Sequence, residues 1–105
     1  MPSAARADSL KAEDFIAWME KLADTTVADQ NDCSKMAHDV NKSVDDNKAL
    51  IQAAQEAHAK GEKLSGDQLN RMIAAGKKMG QAIAAKCAQD KSVHAALARL
   101  PSQHH

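Results

Sequence analysis

The chain has 105 residues and no formal net charge, because 14 lysines and arginines balance 14 aspartates and glutamates. This length forms one domain, and the mixed charges provide no basic stripe of the kind that binds nucleic acid. Alanine is abundant, with 22 residues, whereas one Phe and one Trp are the aromatic residues and Tyr is absent. The composition favours an all-α fold, and no apolar run approaches the roughly 20 residues of a transmembrane helix.

The first helix is predicted at about residues 11–27. Phe15, Met19 and Leu22 recur at intervals of four and three, which is the spacing of one helix face. Residues 1–9 are small and polar, and we expect them to be disordered. The sequence therefore predicts a single helical-bundle domain over residues 10–100, followed by a disordered tail at 101–105.

The second helix is predicted at about residues 32–60, with a bend allowed near residue 46. Asn31 and Asp32 are its candidate N-caps. A stripe with alternating spacings of four and three follows, and it consists of Cys33, Ala37, Val40, Val44, Asn47, Ile51, Ala54 and His58. The stripe passes through "SVDDNK" without a change of phase, so we predict that the chain keeps one direction over this whole segment.

The clearest helix boundary is the stretch "AKGEKLSGDQL". Gly61 is a candidate C-terminal cap, and Ser65 with Gln68 has the S-x-x-Q pattern of a capping box. The third helix is predicted at about residues 66–89, with an apolar stripe formed by Leu69, Ile73, Gly76, Gly80, Ile83 and Cys87. A short C-terminal helix is predicted at about residues 91–99, ending before Pro101.

The two cysteines, Cys33 and Cys87, each lie on one of these stripes. One interpretation is a pair of free, buried thiols in a cytosolic protein. The other is a single disulfide in an oxidising compartment. A bundle of four helices alternating in direction, with breaks near residues 28, 46 and 62, would hold the cysteines more than about 20 Å apart. Because a disulfide requires Cα atoms within about 7 Å, the bridge and that topology exclude each other.

A disulfide instead requires the second and third predicted helices to form an antiparallel hairpin, whose open end the bridge joins. In that hairpin Val40 and Val44 face Gly80 and Gly76, so that branched side chains fill the glycine gaps. Closing a loop of roughly 55 residues would stabilise the fold by about 4 kcal/mol. We therefore favour an antiparallel bundle of three main helices plus the short C-terminal helix, with the first helix folded over the hairpin.

The sequence indicates no cofactor and no metal site. The five histidines lack the spacing of a four-ligand zinc site, and neither Glu-x-x-His nor C-x-x-C-H occurs. The candidates that remain for a haem or metal ligand are His58 and Met72. Met72 belongs to a set that we expect to fill gaps in the core, and this set comprises Met19, Met36, Met72 and Met79.

The sequence also lacks the patterns typical of enzymes. No nucleophile stands beside a recognisable base, and there is no glycine-rich phosphate loop. Asp45 and Asp46 are adjacent, so they point in different directions on a helix. In "GKKMG", Gly76 and Gly80 predict close helix packing, since the lysines between them exclude a membrane helix. We expect a protein that is not an enzyme, without catalytic residues.

Residues 33–97 resemble a group of small exported helical proteins of proteobacteria. The resemblance rests on "CSKMAHDVNKSVDDNKALIQAA" and "GKKMGQAIAAKC", which place one cysteine early, a "DxNKALI"-like stretch midway and a lysine-flanked cysteine late. It implies export and an α-helical bundle, and it implies no particular activity.

The leading functional hypothesis is a periplasmic or extracellular, non-enzymatic binding or envelope-associated module, stabilised by Cys33–Cys87. The first alternative is a b-type haem or metal-binding bundle that uses a histidine and a core methionine. The second alternative is a cytosolic adaptor with free thiols. The expected partner is a protein or a small molecule, and the expected state is a monomer or a small homo-oligomer.

Overall fold

A computed structural model describes the backbone of residues 3–100 and the side chains of residues 12–100. In this part the chain forms five α-helices and no strand, which confirms the prediction of an all-α fold. The helices are α1 (Ser3–Ala28), α2 (Cys33–Asp46), α3 (Lys48–Ala59), α4 (Gly66–Lys86) and α5 (Lys91–Leu97).

The chain ends differ in part from the prediction. α1 begins at Ser3 rather than near residue 11, so its helical backbone includes residues 3–9, which we expected to be disordered. The alanine-rich start of the chain has high intrinsic helix propensity and accounts for this extension. α5 ends at Leu97, two residues earlier than predicted. Pro101 and the expected disordered tail at 101–105 lie outside the described residues.

The predicted helix boundaries between the elements are confirmed by their caps. Asp32 caps α2, with its Oδ1 accepting from the backbone N of Lys35 at 3.1 Å. Ser65 and Gln68 form the reciprocal capping box of α4, at 3.2 and 3.0 Å. Gly61 has φ of 81° in the turn after α3, a conformation that glycine adopts without steric cost. These local signals determine where the helices begin and end.

The predicted helix at 32–60 is divided at Asn47. The Asn47 Nδ2 donates to the backbone O of Ser43 at 2.8 Å, which is the acceptor that the Asn47 backbone N would use in a continuous helix. The Asn47 backbone N donates to Val44 O instead, at 3.2 Å, and helical bonding resumes with Ile51 N to Asn47 O at 3.0 Å. The break therefore has a local cause, an asparagine that competes for its own helix's carbonyl.

α1 is the helix on which α2, α3 and α4 all pack. Trp18 Nε1 donates to Ser43 Oγ at 2.7 Å, and the two residues lie equally far from the turn that joins α1 to α2, so these two helices run antiparallel. In the ion pairs between α1 and α4, the residue numbers increase together on both helices, from Glu13 with Arg71 to Asp24 with Lys78. α4 therefore runs parallel to α1. α5 packs on α2 and buries Val93 and Ala96.

The predicted interface between the second helix and α4 is wrong. Val40 and Val44 are buried, but α2 packs extensively on α1 and α5 and not on α4. Gly76 and Gly80, which we placed opposite the valines, are exposed to solvent. The reason is that the large side chains of the core belong to α1, whose apolar face buries more area than a valine against a glycine. That α1 face comprises Phe15, Ile16, Trp18, Met19 and Leu22.

Candidate functional site

The most unusual surface of the described chain is a face of α4, which we call the α4 stripe. It consists of Leu69, Ile73, Gly76 and Gly80, spaced four, three and four residues apart. Leu69 and Ile73 expose 50% and 56% of their surface, and they are the exposed large hydrophobic residues of the described part. A Cβ placed on either glycine would meet no described atom within 4 Å. The stripe is thus an apolar ridge continued by a shallow, side-chain-free strip.

The opposite face of α4 is firmly held by α1. Ala75, Met79 and Ala82 recur at four and three residues and are buried. Because α4 packs extensively on α1 alone, its outer face has no helix of this chain across it in the described residues. The sequence pattern identified Leu69 to Cys87 as one core seam. Its last two residues, Ile83 and Cys87, do pack in the core, but the four residues of the α4 stripe are exposed, and the neighbouring face is buried in their place.

Ion pairs fix α4 on α1. The Arg71 guanidinium reaches both Glu13, at 2.8 Å, and Glu20, at 2.7 Å, which lie seven residues apart on one face of α1. Lys78 pairs with Asp24 at 2.5 Å further along. The bonds from Arg71 hold the pKa of Glu13 and of Glu20 below their usual values. This contribution to stability is present above the unfolded carboxylate pKa and is lost as the pH falls.

Charge beside the α4 stripe is positive. Lys77 is exposed and follows Gly76 directly, and it forms no ion pair with any residue in the range 12–100. Asp67, the acidic residue of α4, lies in the first turn, about 15 Å along the helix from Lys77. The stripe therefore combines an apolar ridge with one uncompensated cation at its edge.

The glycines of the stripe provide a direct test of this surface. We expect Gly76→Ala and Gly80→Ala each to stabilise the fold by about 0.5–1 kcal/mol, because alanine is the better helix former and the space is open. Urea denaturation measures the change. Gly61→Ala is the opposing control, since its φ of 81° disfavours any side chain, and it should destabilise. Destabilisation by the α4 substitutions would show that this face is packed.

The two cysteines meet, as predicted. Cys33 at the start of α2 and Cys87 after α4 have Cα atoms 5.5 Å apart and Sγ atoms 2.10 Å apart, which is the distance of a disulfide. Cys87 is buried and its Sγ lies 3.8 Å from the backbone O of Gln30 in the α1–α2 turn. The bridge therefore joins α4 to α2, two helices that otherwise share little packing.

The two candidate metal ligands, Met72 and His58, lie in different surroundings. Met72 is half-buried against the core, and Met19, Met36 and Met79 are buried, as their predicted packing role requires. His58 lies exposed in the last turn of α3 rather than on a buried seam. Within the described residues there is no group of three or more His, Cys, Asp or Glu side chains placed to hold a metal ion.

Sequence reasoning missed two polar features. Asp29 is a buried carboxyl in the α1–α2 turn, and nothing in the sequence indicated its burial. Arg71 joins two glutamates of another helix. The seven-residue spacing of Glu13 and Glu20 signals a common helix face, but it does not reveal the partner.

The chain matches no protein-family model, no curated protein and no solved structure. Among the described helices, none has the length and apolar character needed to cross a lipid bilayer.

Proposed function

We propose that this chain is an exported, non-enzymatic helical-bundle module that binds a partner protein through the α4 stripe. The observation that carries the proposal is the exposure of Leu69 and Ile73 side by side on one helix. Contiguous exposed apolar side chains on a small protein are typical of interaction surfaces. Because Arg71, Lys78 and the buried face hold α4 on α1, the stripe is presented on a rigid support.

The proposed compartment is the periplasm or the extracellular space. A Cys33–Cys87 bridge forms and persists in oxidising surroundings, and its geometry in this fold supports that location. The resemblance of residues 33–97 to small exported proteins points the same way. We regard α2 and α3 as two halves of one long helix that is bent at Asn47. In this description the domain consists of three main helices and α5.

The partner that this surface fits is an amphipathic helix with acidic residues beside its apolar face. Leu69 and Ile73 supply the ridge, and the open strip at Gly76 and Gly80 accommodates branched side chains of an incoming helix. Lys77 at the edge attracts a carboxylate. A second copy of the chain is the less suitable occupant, because pairing stripe with stripe adds another Lys77 rather than a carboxylate.

Peptide titration tests the proposal. The probe is a 20-residue amphipathic helical peptide with leucines on one face and glutamates beside them, added to the oxidised, ¹⁵N-labelled full chain. We expect amide shifts along the α4 stripe and at Lys77. A matched peptide with lysines in place of glutamates should bind about fivefold more weakly, which corresponds to about 1 kcal/mol for one exposed ion pair.

Variants locate the binding. Ile73→Glu should abolish the shifts, whereas Gln52→Glu, which adds the same charge to the exposed surface of α3, should leave them unchanged. The proposal fails if neither peptide perturbs α4. It also fails if the same α4 shifts arise from raising the protein concentration alone, since a second copy would then cover the stripe.

A further inference from the structure

Asp29 is a carboxyl group in an unfavourable position. It lies in the turn between α1 and α2, and only 5% of its surface is exposed. Its Oδ1 accepts from Lys35 Nζ at 3.2 Å. Its Oδ2 is buried and has no hydrogen-bond partner among the described residues. A buried charged oxygen without a donor is costly, so such atoms are rare in folded proteins and need a physical explanation.

A second carboxyl group lies beside it. Asp39 is half-buried on α2, and its Oδ2 accepts from the same Lys35 Nζ at 2.9 Å. Both carboxyl groups thus accept from one ammonium, Lys35 Nζ, which places them side by side. A hydrogen bond between two carboxyl groups requires a proton, because ionised carboxylates are acceptors only. One ammonium and two ionised carboxylates would leave a net negative charge in this partly desolvated corner.

We propose that Asp29 and Asp39 hold one shared proton, carried on Asp29 Oδ2, and that this proton acts as a pH-sensitive latch on the α1–α2 corner. The protonated Asp29 Oδ2 becomes a donor, and Asp39 is the acceptor at hand. The cluster of Asp29, Lys35 and Asp39 is then neutral overall. The unpartnered oxygen and the position of two acids on one lysine thus have a single explanation.

The electrostatic surroundings agree with this assignment of the proton. Burial raises the pKa of Asp29, and the neighbouring Asp39 carboxyl group raises it further. The neighbouring Asp29 carboxyl group, followed by the bond from Lys35, lowers the pKa of Asp39. Two interacting carboxyl groups whose pKa values are driven apart titrate as a pair that holds one proton between the two steps.

The charged groups around the pair belong to the turn and to α2. Lys35 donates to both acids, and His38 acts on Asp39. Asp32 carries the N-cap of α2, accepting from the Lys35 backbone. From the end of α4, Cys87 contacts this turn, but in the disulfide it does not titrate.

The direction of the pH effect follows from linkage. The Asp29 pKa in the folded state lies above its unfolded value, so its contribution is present at low pH and is lost as the pH rises through the folded value. The Asp39 pKa is lowered by folding, so its contribution is lost as the pH falls through that lower value. The latch is therefore closed at pH values between the folded-state pKa of Asp39 and that of Asp29. It opens when the pH rises above the Asp29 pKa, and the turn that it then releases lies next to the disulfide.

Carboxyl-carbon NMR titration of the oxidised full chain tests the proposal directly. We expect the Asp29 midpoint to lie clearly above, and the Asp39 midpoint clearly below, that of an exposed reference residue, Asp14. In Asp39→Asn the amide donates to Asp29, so the Asp29 midpoint should fall. An Asp29 midpoint equal to that of Asp14 in the wild-type protein would overturn the proposal without the need for any variant.

A second measurement follows the latch itself. Asp29→Asn supplies an amide that accepts from Lys35 and donates to Asp39, as the protonated acid does. The wild-type melting temperature and the amide-exchange protection of residues 29–32 should decline as the pH rises through the Asp29 midpoint. In Asp29→Asn this decline should vanish, whereas the exposed control Asp14→Asn should retain it. Parallel pH profiles for wild type and Asp29→Asn would contradict the latch.

Discussion

Reduction of the Cys33–Cys87 disulfide is expected to lower the melting temperature by about 15 °C. The bridge spans 54 positions of sequence, and closing a loop of that size restricts the unfolded chain by about 4 kcal/mol. In a domain of about 100 residues each kcal/mol corresponds to about 4 °C or more. The effect is large because α2 and α4 share little packing besides the bridge. Thermal unfolding followed by circular dichroism, with and without a phosphine reductant, measures the shift.

Controls must separate the effect of breaking the disulfide from any other effect of the reductant. Thiol titration in denaturant establishes that the starting protein has no free cysteine. The double variant Cys33→Ser, Cys87→Ser should melt near the reduced protein, and the reductant should not change its melting temperature. A shift below about 3 °C, in a protein shown to be fully oxidised and then fully reduced, would show that the bridge contributes little to stability.

Leu22→Ala is expected to destabilise the protein by about 3 kcal/mol. Leu22 is 1% exposed and belongs to the core of α1, on which α2, α3 and α4 all pack. Truncating a fully buried leucine removes its transfer free energy and leaves a cavity, which together cost about 2–5 kcal/mol. For a domain of this size the melting temperature should fall by about 12 °C. Urea denaturation checks the free energy, and thermal melting checks the temperature.

The matched control is the same substitution on the α4 stripe. Leu69 exposes half of its surface, so Leu69→Ala should cost well under 1 kcal/mol. Comparing the two substitutions shows which face of α4 is buried. Equal losses for Leu22→Ala and Leu69→Ala would mean that the stripe is a packed seam, as the sequence pattern suggested, and would remove the basis of the proposed binding surface.

The rigidity of α4 bears on the proposed binding. α4 carries the stripe, its inner face packs on α1, and its end is tied to α2 by the disulfide. An immobilised helix loses less conformational entropy when a partner docks on it. We therefore expect reduction of the bridge to weaken peptide binding as well as to lower the melting temperature, since both depend on the position of α4.

The helix boundaries at Asp32, Gly61 and Ser65 could be predicted because their signals are local. Asp32 accepts a hydrogen bond from a backbone group three residues away, and Ser65 and Gln68 satisfy each other across one turn. Gly61 occupies a backbone conformation that other residues avoid. Each of these interactions depends on residues within one helical turn, so a single sequence contains all the information needed. For the two cysteines, helix lengths determined only which arrangement of helices a disulfide would allow, and not whether the disulfide forms.

The inner face of α4 could not be predicted from periodicity. Two neighbouring faces of this helix are free of charge, one with Leu69, Ile73, Gly76 and Gly80 and the other with Ala75, Met79 and Ala82. In an alanine-rich helix the difference in hydrophobicity between such faces is small. Arg71 and Lys78 select the buried face by pairing with carboxylates that only the folded α1 brings within reach.

The sequence by itself determined the all-α class and the caps at Asp32, Gly61 and Ser65, because these follow from helix propensity and short-range interactions. It left Cys33 and Cys87 as either free thiols or one disulfide, and the folded chain brings them together. Tertiary structure alone decided which face of α4 meets α1 and which faces solvent. It also decided that Asp29, an ordinary turn residue by composition, is buried and shares Lys35 with Asp39. Burial and charge pairing depend on residues distant in sequence, and the candidate surface and the proton-sharing pair both arise from them.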